Sequence, residues 1–250
     1  MEKIATGIFS HPDDAEMVCA GTLSLLRKAG WKVHIVTMAP GDKGTAVYSR
    51  EEISRIRKKE AANSASQIGA FYHCLDLEDV YILYDRDSLN RTIALIRSIR
   101  PALVFTASPN DYMLDHTITS QIVLTACFAS GIKNMEVDEP PYEPVPYLYY
   151  CDSMEGKDIL GNPVIPAMYV DITSEISIKE KMLACHESQR NWLLEHHKMD
   201  EYLLAMKRFA AERGRQVNVE YAEGFRQHLG HGFPQENILM KLLGDLVIIH

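Results

Sequence analysis

The chain has no excess of positive charge: Lys and Arg number 26 against 34 Asp and Glu, a formal net charge of -8 at pH 7. A nucleic-acid partner needs a basic face that neutralises phosphates, and an anionic membrane surface needs much the same, so the charge argues against both. No apolar stretch is long and charge-free enough to span a bilayer, and the opening segment "MEKIATGIFS" carries too short an apolar run for a secretory signal. A cytoplasmic setting is expected. The 5 cysteines, at positions 19, 74, 127, 151 and 185, are odd in number, widely spaced and free of any CxxC pair. Neither a disulfide framework nor a zinc ribbon is suggested, and most are expected to be small core residues. Internal repeats and low-complexity tracts are lacking too. So is a Gly-x-Gly-x-x-Gly loop after the first strand, where "SHPDDAEMVCAG" stands instead. That makes a nicotinamide-binding protein a poor reading.

What is there suits a soluble globular protein, with 46% hydrophobic and 24% charged residues over 250 positions. One large domain over residues 1–250 fits that length better than two. The first half alternates short apolar runs with helix-period segments, the pattern of a mostly parallel sheet covered by helices on both faces. Strands are expected at Ile4 to Ser10, Lys32 to Met38, Phe71 to Leu75 and Leu103 to Thr106. Between them lie helices from Glu16 to Ala29, from about Arg50 to Ile68 and from Leu89 to Arg100, and a fourth starts at His116 and stops at Gly131. Ser49 with Glu52 has the spacing of a capping box, and the first two helices stop at glycines, Gly30 and Gly69. The proline-rich "VDEPPYEPVPYLYYCDS" excludes a helix and reads as an excursion into a strand at Tyr147 to Cys151. A short strand at Met168 to Asp171 then precedes a helix capped by Thr173 or Ser174, with helical patterning continuing in breaks to about Arg213.

The chemistry gathers at strand ends. In open parallel sheets ligands sit beyond the carboxyl ends of the strands, and His11, Asp13 and Asp14 follow the first strand directly. Either aspartate alone could cap the following helix, but two adjacent carboxylates repel each other, and a bound cation would offset that repulsion. Imidazole nitrogen and carboxylate oxygen suit zinc, whose catalytic sites take three protein ligands and leave one position for water. A third ligand should come from another strand end, where His116 follows the strand at Leu103 to Thr106.

"SHPDDAE" resembles the signature of the PIG-L / LmbE-like zinc-dependent N-deacetylases. "VTMAPGDKGT", "RKKEAANSASQIGA", "DYMLDHTITS", "HESQ" and "EYAEGF" follow in that family's order over most of the chain. The resemblance implies a Rossmann-like α/β deacetylase fold and removal of an acetyl group from an N-acetylglucosamine-type amino sugar. It implies that His11, Asp14 and His116 bind Zn²⁺, a set that Fe²⁺ also accepts. Asp13 would be the general base that takes a proton from the attacking water. It further implies a small-molecule partner and a homo-oligomer, a trimer or hexamer.

One departure matters. The family's distal motif commonly reads His-Pro-Asp-His, and this chain has Met113 at the first histidine, in "MLDH". Methionine neither donates a proton nor stabilises an oxyanion, so Tyr112 and His186 are the substitutes by motif position and chemistry. His186 has a second reading, as a packed residue near a helix end. Arg57 and Glu60 form either an ordinary i, i+3 surface pair or, by resemblance, a site where Arg57 grips substrate hydroxyls. Asp42 either shapes a glycine-flanked turn or lines the pocket. Adjacent His196 and His197 point to different helix faces and do not converge on one ion. His228 and His231 read as a subunit contact or solvated surface. Competing functions are an amidase for a larger N-acyl group and a catalytically weak metal- or sugar-binding protein.

Overall fold

A computed structural model describes residues 2–190 and 201–249. Eight strands form one sheet in the order β3-β2-β1-β4-β5-β7-β6-β8. They are β1 (Ile4–Phe9), β2 (Lys32–Thr37), β3 (Phe71–Cys74), β4 (Leu103–Thr106), β5 (Tyr147–Cys151), β6 (Met168–Asp171), β7 (Ala222–Gln227) and β8 (Val247–Ile249). The first five run parallel, with β1 in register from Ile4↔Lys32 to Phe9↔Thr37 on β2 and from Ala5↔Leu103 to Ile8↔Thr106 on β4. The last three add antiparallel to that block. The six strands read from sequence are there within a residue at each end. β7 and β8 are additions, since "AEGFRQ" carries charge and glycine and "VII" is only three residues long.

Alternation along β1 divides the core in two, as a strand buried on both faces requires. Ala5 and Phe9 face a layer that includes Leu23, Leu26, Ala65, Met182 and Leu239. Ile4 and Ile8 face the opposite layer, which includes Ile93, Ile96, Ile122 and Val123. The first layer thus draws on α2 (Ala20–Lys28), α3 (Arg50–Ser66), α6 (Ile176–Ala184) and α8 (Ile238–Leu243), the second on α4 (Arg86–Ile99) and α5 (Leu114–Ala129). The fold is therefore the expected Rossmann-like α/β architecture, and α7 (Glu201–Gln216) packs on its first face through Ala210. Cys19, Cys127 and Cys151 are buried and all five cysteines are free, in keeping with their reading as core residues. Among the described residues no helix is long and apolar enough to cross a membrane.

The capping box at Ser49 forms with both of its hydrogen bonds. The helix expected from Glu16 to Ala29 is instead two pieces, a short α1 (Asp14–Val18) and α2, broken at Cys19 with φ -144°. No local side chain caps α2. Its first N–H groups are satisfied from far along the chain: Gly21 and Thr22 donate to the Glu223 carboxylate of β7 at 2.9 and 2.8 Å, and the Thr22 hydroxyl adds a third bond at 2.6 Å. The buried Lys179 ammonium pairs with the same carboxylate at 2.5 Å. Gly21 sits so close to Ile172 that a Cβ there would fall 2.7 Å from the isoleucine Cγ2. Neither Thr173 nor Ser174 caps α6, because a 3-10 turn over Thr173–Glu175 intervenes.

Removing one member of a buried ion pair leaves an uncompensated charge. Glu223→Ala also strips the cap from α2, so a loss of about 3–5 kcal/mol is expected in urea unfolding. The double variant Glu223→Gln/Lys179→Met should recover much of it, since no buried charge then lacks a partner.

Candidate metal centre and active site

The chain leaves β1 to build β2 and β3 on one side and returns to β4 on the other, so the loops after β1 and β4 diverge at their carboxyl ends. This is the switch point at which such sheets bind ligands. The loop after β1 brings His11, Asp13 and Asp14. The loop after β4 brings Asp111, Tyr112 and Met113, and the first turn of α5 brings Asp115 and His116. Asp79 enters from beyond β3, and Met154 and Glu155 from a 3-10 turn after β5. Together with Tyr202 of α7 they line or back a cavity of about 400 Å³.

The ligand atoms of His11, Asp14 and His116 all lie within 4.8 Å of one another, and all three residues are buried. His116 Nε2 is 3.4 Å from Asp14 Oδ1, and His11 Nδ1 is 3.7 Å from Asp14 Oδ2. Each imidazole is held from behind by carboxylate. His11 Nε2 faces Asp79 Oδ1 at 3.0 Å and Asp115 Oδ2 at 3.2 Å, and His116 Nδ1 faces Asp111 Oδ2 at 3.2 Å. Such outer carboxylates fix ring orientation and raise ligand basicity at metal sites. Inside the cluster His116 Nε2 is buried and has no hydrogen-bond partner. An orphaned imidazole nitrogen beside a carboxylate oxygen and a second histidine is the donor set a divalent cation takes, so these residues fit a metal ion.

The electrostatics agree. Burial disfavours charge on His11, but Asp115, Asp79 and Asp14 outweigh it and raise its pKa to about 9. Burial is likewise overruled at His116, which Asp14 and Asp111 raise to about 10. Burial would lift Asp14, yet His116 and His11 hold its carboxyl far below the usual carboxylate range. The pocket thus selects for positive charge at the two imidazoles, and protons and a cation compete for the same nitrogens.

Asp13 differs from its neighbour. It stands at the N-cap of α1 without a side-chain capping bond, with φ 99° and ψ -22°. That left-handed conformation is uncommon for any residue but glycine. Its Oδ2 accepts from the Tyr202 hydroxyl at 2.6 Å and from Arg57 Nη2 at 3.3 Å. Burial pushes the Asp13 carboxyl up, against the pull of Arg57 and His186. Arg57 also donates to the Pro12 carbonyl at 2.6 Å and the Gly41 carbonyl at 3.4 Å. Gly41 has φ 72°, and any side chain there would collide with the guanidinium.

The structure therefore brings His11, Asp13, Asp14 and His116 together and leaves Tyr112 half-exposed on the cavity wall. Three readings left open gain a structural setting. Arg57 lines the cavity, and its described hydrogen bonds clamp the loop of Asp13. Asp42 is not part of the lining. Its Oδ1 accepts from the Asp79 backbone N–H at 2.9 Å and its Oδ2 pairs with Arg50, so it anchors the loop that carries Asp79. His186 is wholly buried, with Nε2 3.3 Å from Glu16 Oε1, and is not part of the cavity lining, which matches its reading as a packed residue near a helix end. His228 shares Nδ1 with the Tyr150 hydroxyl at 3.1 Å and packs edge-on against Phe233. His196 and His197 lie outside the described residues.

Sequence reasoning missed Asp79, Asp111, Asp115 and Tyr202. Asp111 and Asp115 stand within the "DYMLDH" segment already singled out, and the strand-end rule that found His11 applies equally to Asp79. Tyr202, 189 positions from Asp13, carries no local signal.

Comparison with known proteins finds related chains. Residues 7–127 match the family described as PIG-L: GlcNAc-PI de-N-acetylase. The chain is 25% identical to 4-oxalmesaconate hydratase of Pseudomonas putida, over 90% of this chain and 89% of the relative. It is 26% identical to a probable N-acetyl-alpha-D-glucosaminyl L-malate deacetylase 2 of Bacillus cereus, over 78% of this chain and 87% of the relative. Among solved structures, N,N'-diacetylchitobiose deacetylase from Pyrococcus horikoshii superimposes with a TM-score of 0.78 at 26% identity, covering 93% of this chain and 87% of that one. The motifs, the sheet and the buried His-Asp-His cluster point the same way: residues 7–127 match the PIG-L (LmbE-like) family.

Proposed function

We propose that the chain is a metal-dependent hydrolase that removes the N-acetyl group of an N-acetylglucosamine-type amino sugar or its glycoside, releasing acetate, and that its single sheet works as one domain. The observation that carries this reading is the Asp13 carboxylate, fixed beside a buried His-Asp-His cluster with both of its described hydrogen bonds on Oδ2. Its other oxygen is left to accept a proton from water. His11, Asp14 and His116 would hold Zn²⁺, and Fe²⁺ suits the same donors. A divalent ion there supplies a Lewis acid that polarises the amide carbonyl and acidifies water.

The chain's own residues do the rest. Asp13 takes the proton as the water oxygen adds to the carbonyl carbon, and Tyr202 with Arg57 keeps that carboxylate in place. When the C–N bond breaks, the departing amine takes up a proton. Tyr112 is the donor this site offers in place of the usual histidine. Burial, with Glu155 and Asp111 near, raises the Tyr112 phenol, so it keeps its proton at neutral pH.

Hydration is the second reading, favoured by the Pseudomonas relative. Asp13, Asp14, Asp79 and Glu155 line the cavity beside His11, His116 and Arg57, so the two readings are separated by turnover and not by charge.

The test measures acetate release from N-acetylglucosamine and its glycosides, with hydration of 4-oxalmesaconate as the second arm. Metal-dependent acetate release that falls about a hundred- to ten-thousand-fold in Asp13→Asn is expected. Turnover of 4-oxalmesaconate alone would replace the deacetylase by a hydratase. Tyr202→Phe should lower kcat about tenfold with KM little changed, because a bond to the base, not to substrate, is lost. A KM effect alone would move Tyr202 to substrate binding. Zn²⁺ at a free concentration one hundred times its Kd should stabilise the chain by about 2.7 kcal/mol in urea unfolding. His116→Ala should lose that gain.

A further inference from the structure

Among the described residues four acids line the catalytic cavity, and three of them are already engaged. Asp13 accepts from Tyr202 and Arg57, Asp14 accepts from the His11 backbone N–H at 2.9 Å and faces His116, and Asp79 is shared between His11 and the Lys43 backbone N–H. The fourth is Glu155. Its side chain is exposed, and among the described residues its carboxylate takes part in no hydrogen bond or ion pair. Its backbone stands at φ 59° and ψ 6° within the 3-10 turn after β5. That left-handed conformation costs a glutamate free energy that glycine would not lose.

The flanking residues hold the turn in this shape. Ahead of Glu155, the Met154 N–H donates to Asp111 Oδ2 at 2.9 Å, the same oxygen that His116 Nδ1 faces at 3.2 Å. After it, Gly156 at φ 67° lies against Arg213, where a Cβ would come within 2.8 Å of Nη2, and Arg213 in turn grips Asp152. The turn is thus tied through Asp111 to a member of the His-Asp-His cluster. A strained residue that its surroundings over-determine, with a carboxylate left unpaired in a cavity, is the mark of a group kept for a ligand.

We propose that Glu155 accepts hydrogen bonds from ring hydroxyls of the substrate and so orients the sugar in the cavity. The proposal rests on the reading of the site as an amino-sugar deacetylase and adds to it a residue that determines specificity. An ionised carboxylate only accepts, so it reads O–H donors, and a ligand whose polar groups are all carboxylates gives it nothing to accept.

The test is a double-mutant cycle between this side chain and single hydroxyls. Binding of N-acetylglucosamine and its 3-deoxy, 4-deoxy and 6-deoxy analogues to zinc-loaded Asp13→Asn protein is followed by calorimetry, which needs no turnover, with and without Glu155→Gly. At least one deoxy analogue is expected to bind about tenfold more weakly than the parent sugar, and Glu155→Gly should abolish that difference because the acceptor is already gone. In the active enzyme Glu155→Gly should raise KM for acetate release about tenfold with kcat little changed, and Glu155→Gln, which keeps one acceptor oxygen, should fall between. Glycine suits the backbone angles, so Glu155→Gly should be at least as stable as the parent in urea unfolding.

Analogues that all bind like N-acetylglucosamine, a difference that survives Glu155→Gly, or no detectable sugar binding overturn the proposal. Weaker binding that comes with a loss of stability in Glu155→Gly also overturns it, making the residue a support of the turn. Hydroxyl-dependent binding through Glu155 with no acetate release would leave the proposal standing and sink the deacetylase. Acetate release with a KM indifferent to Glu155→Gly would do the reverse.

Discussion

Repulsion among carboxylates is the constraint around which this molecule is arranged. Asp13, Asp14, Asp79, Asp111 and Asp115 converge from loops beyond three strands, and each is buried or nearly so. Charges of one sign do not gather in a protein interior unless something of the other sign holds them. Here the partners are distributed. Two imidazoles lie between the carboxylates, Arg57 faces Asp13, and backbone N–H groups of Asp79, Val80, Met113 and Met154 point at the acids of this pocket and at the Asp42 that supports them. What is left over is the position among His11, Asp14 and His116, and its chemistry asks for a cation.

The same constraint explains the division of labour in the sheet. The parallel block supplies the diverging loops, and the antiparallel block supplies supports. Glu223 on β7 receives the start of α2 and Lys179, and so holds the helix that follows the signature loop. Arg213 of α7 grips Asp152 with bonds of 2.7 and 3.0 Å, next to the 3-10 turn that bears Met154 and Glu155. The buried Arg97 donates to the carbonyls of Ser130, Ile132 and Glu139, which fastens the proline-rich excursion to α4. Chemistry borne by loops thus rests on ion pairs sunk in the scaffold, as a site requiring sub-ångström placement needs.

Local patterns made much of this legible. Strand periodicity, the capping box at Ser49 and glycine stops are nearest-neighbour signals, and they located six strands and most helices. His11, Asp14 and His116 were readable because strand ends, not distances, select ligand-binding positions in this architecture. What the sequence left open were readings that turn on a single side-chain direction. Arg57, Asp42 and His186 all stand near the site: one clamps the loop of Asp13, one supports the loop of Asp79 and one is buried against Glu16. The break at Cys19 was hidden as well, because the residue that makes it tolerable, Glu223, is about two hundred positions away.

Three residues around the cavity hold backbone angles that suit glycine: Asp13 at φ 99°, Val80 at φ 71° and Glu155 at φ 59°. For Val80 the branched side chain makes this conformation costly, and its N–H is the one that bonds Asp115. Evolution toward a sturdier chain has an easy route here, since glycine at any of the three would relax the fold. At Asp13 that route removes the carboxylate proposed as base, whereas Val80 contributes only a backbone N–H that glycine keeps. Selection for heat tolerance and selection for turnover would therefore pull Asp13 in opposite directions and leave Val80 free to change.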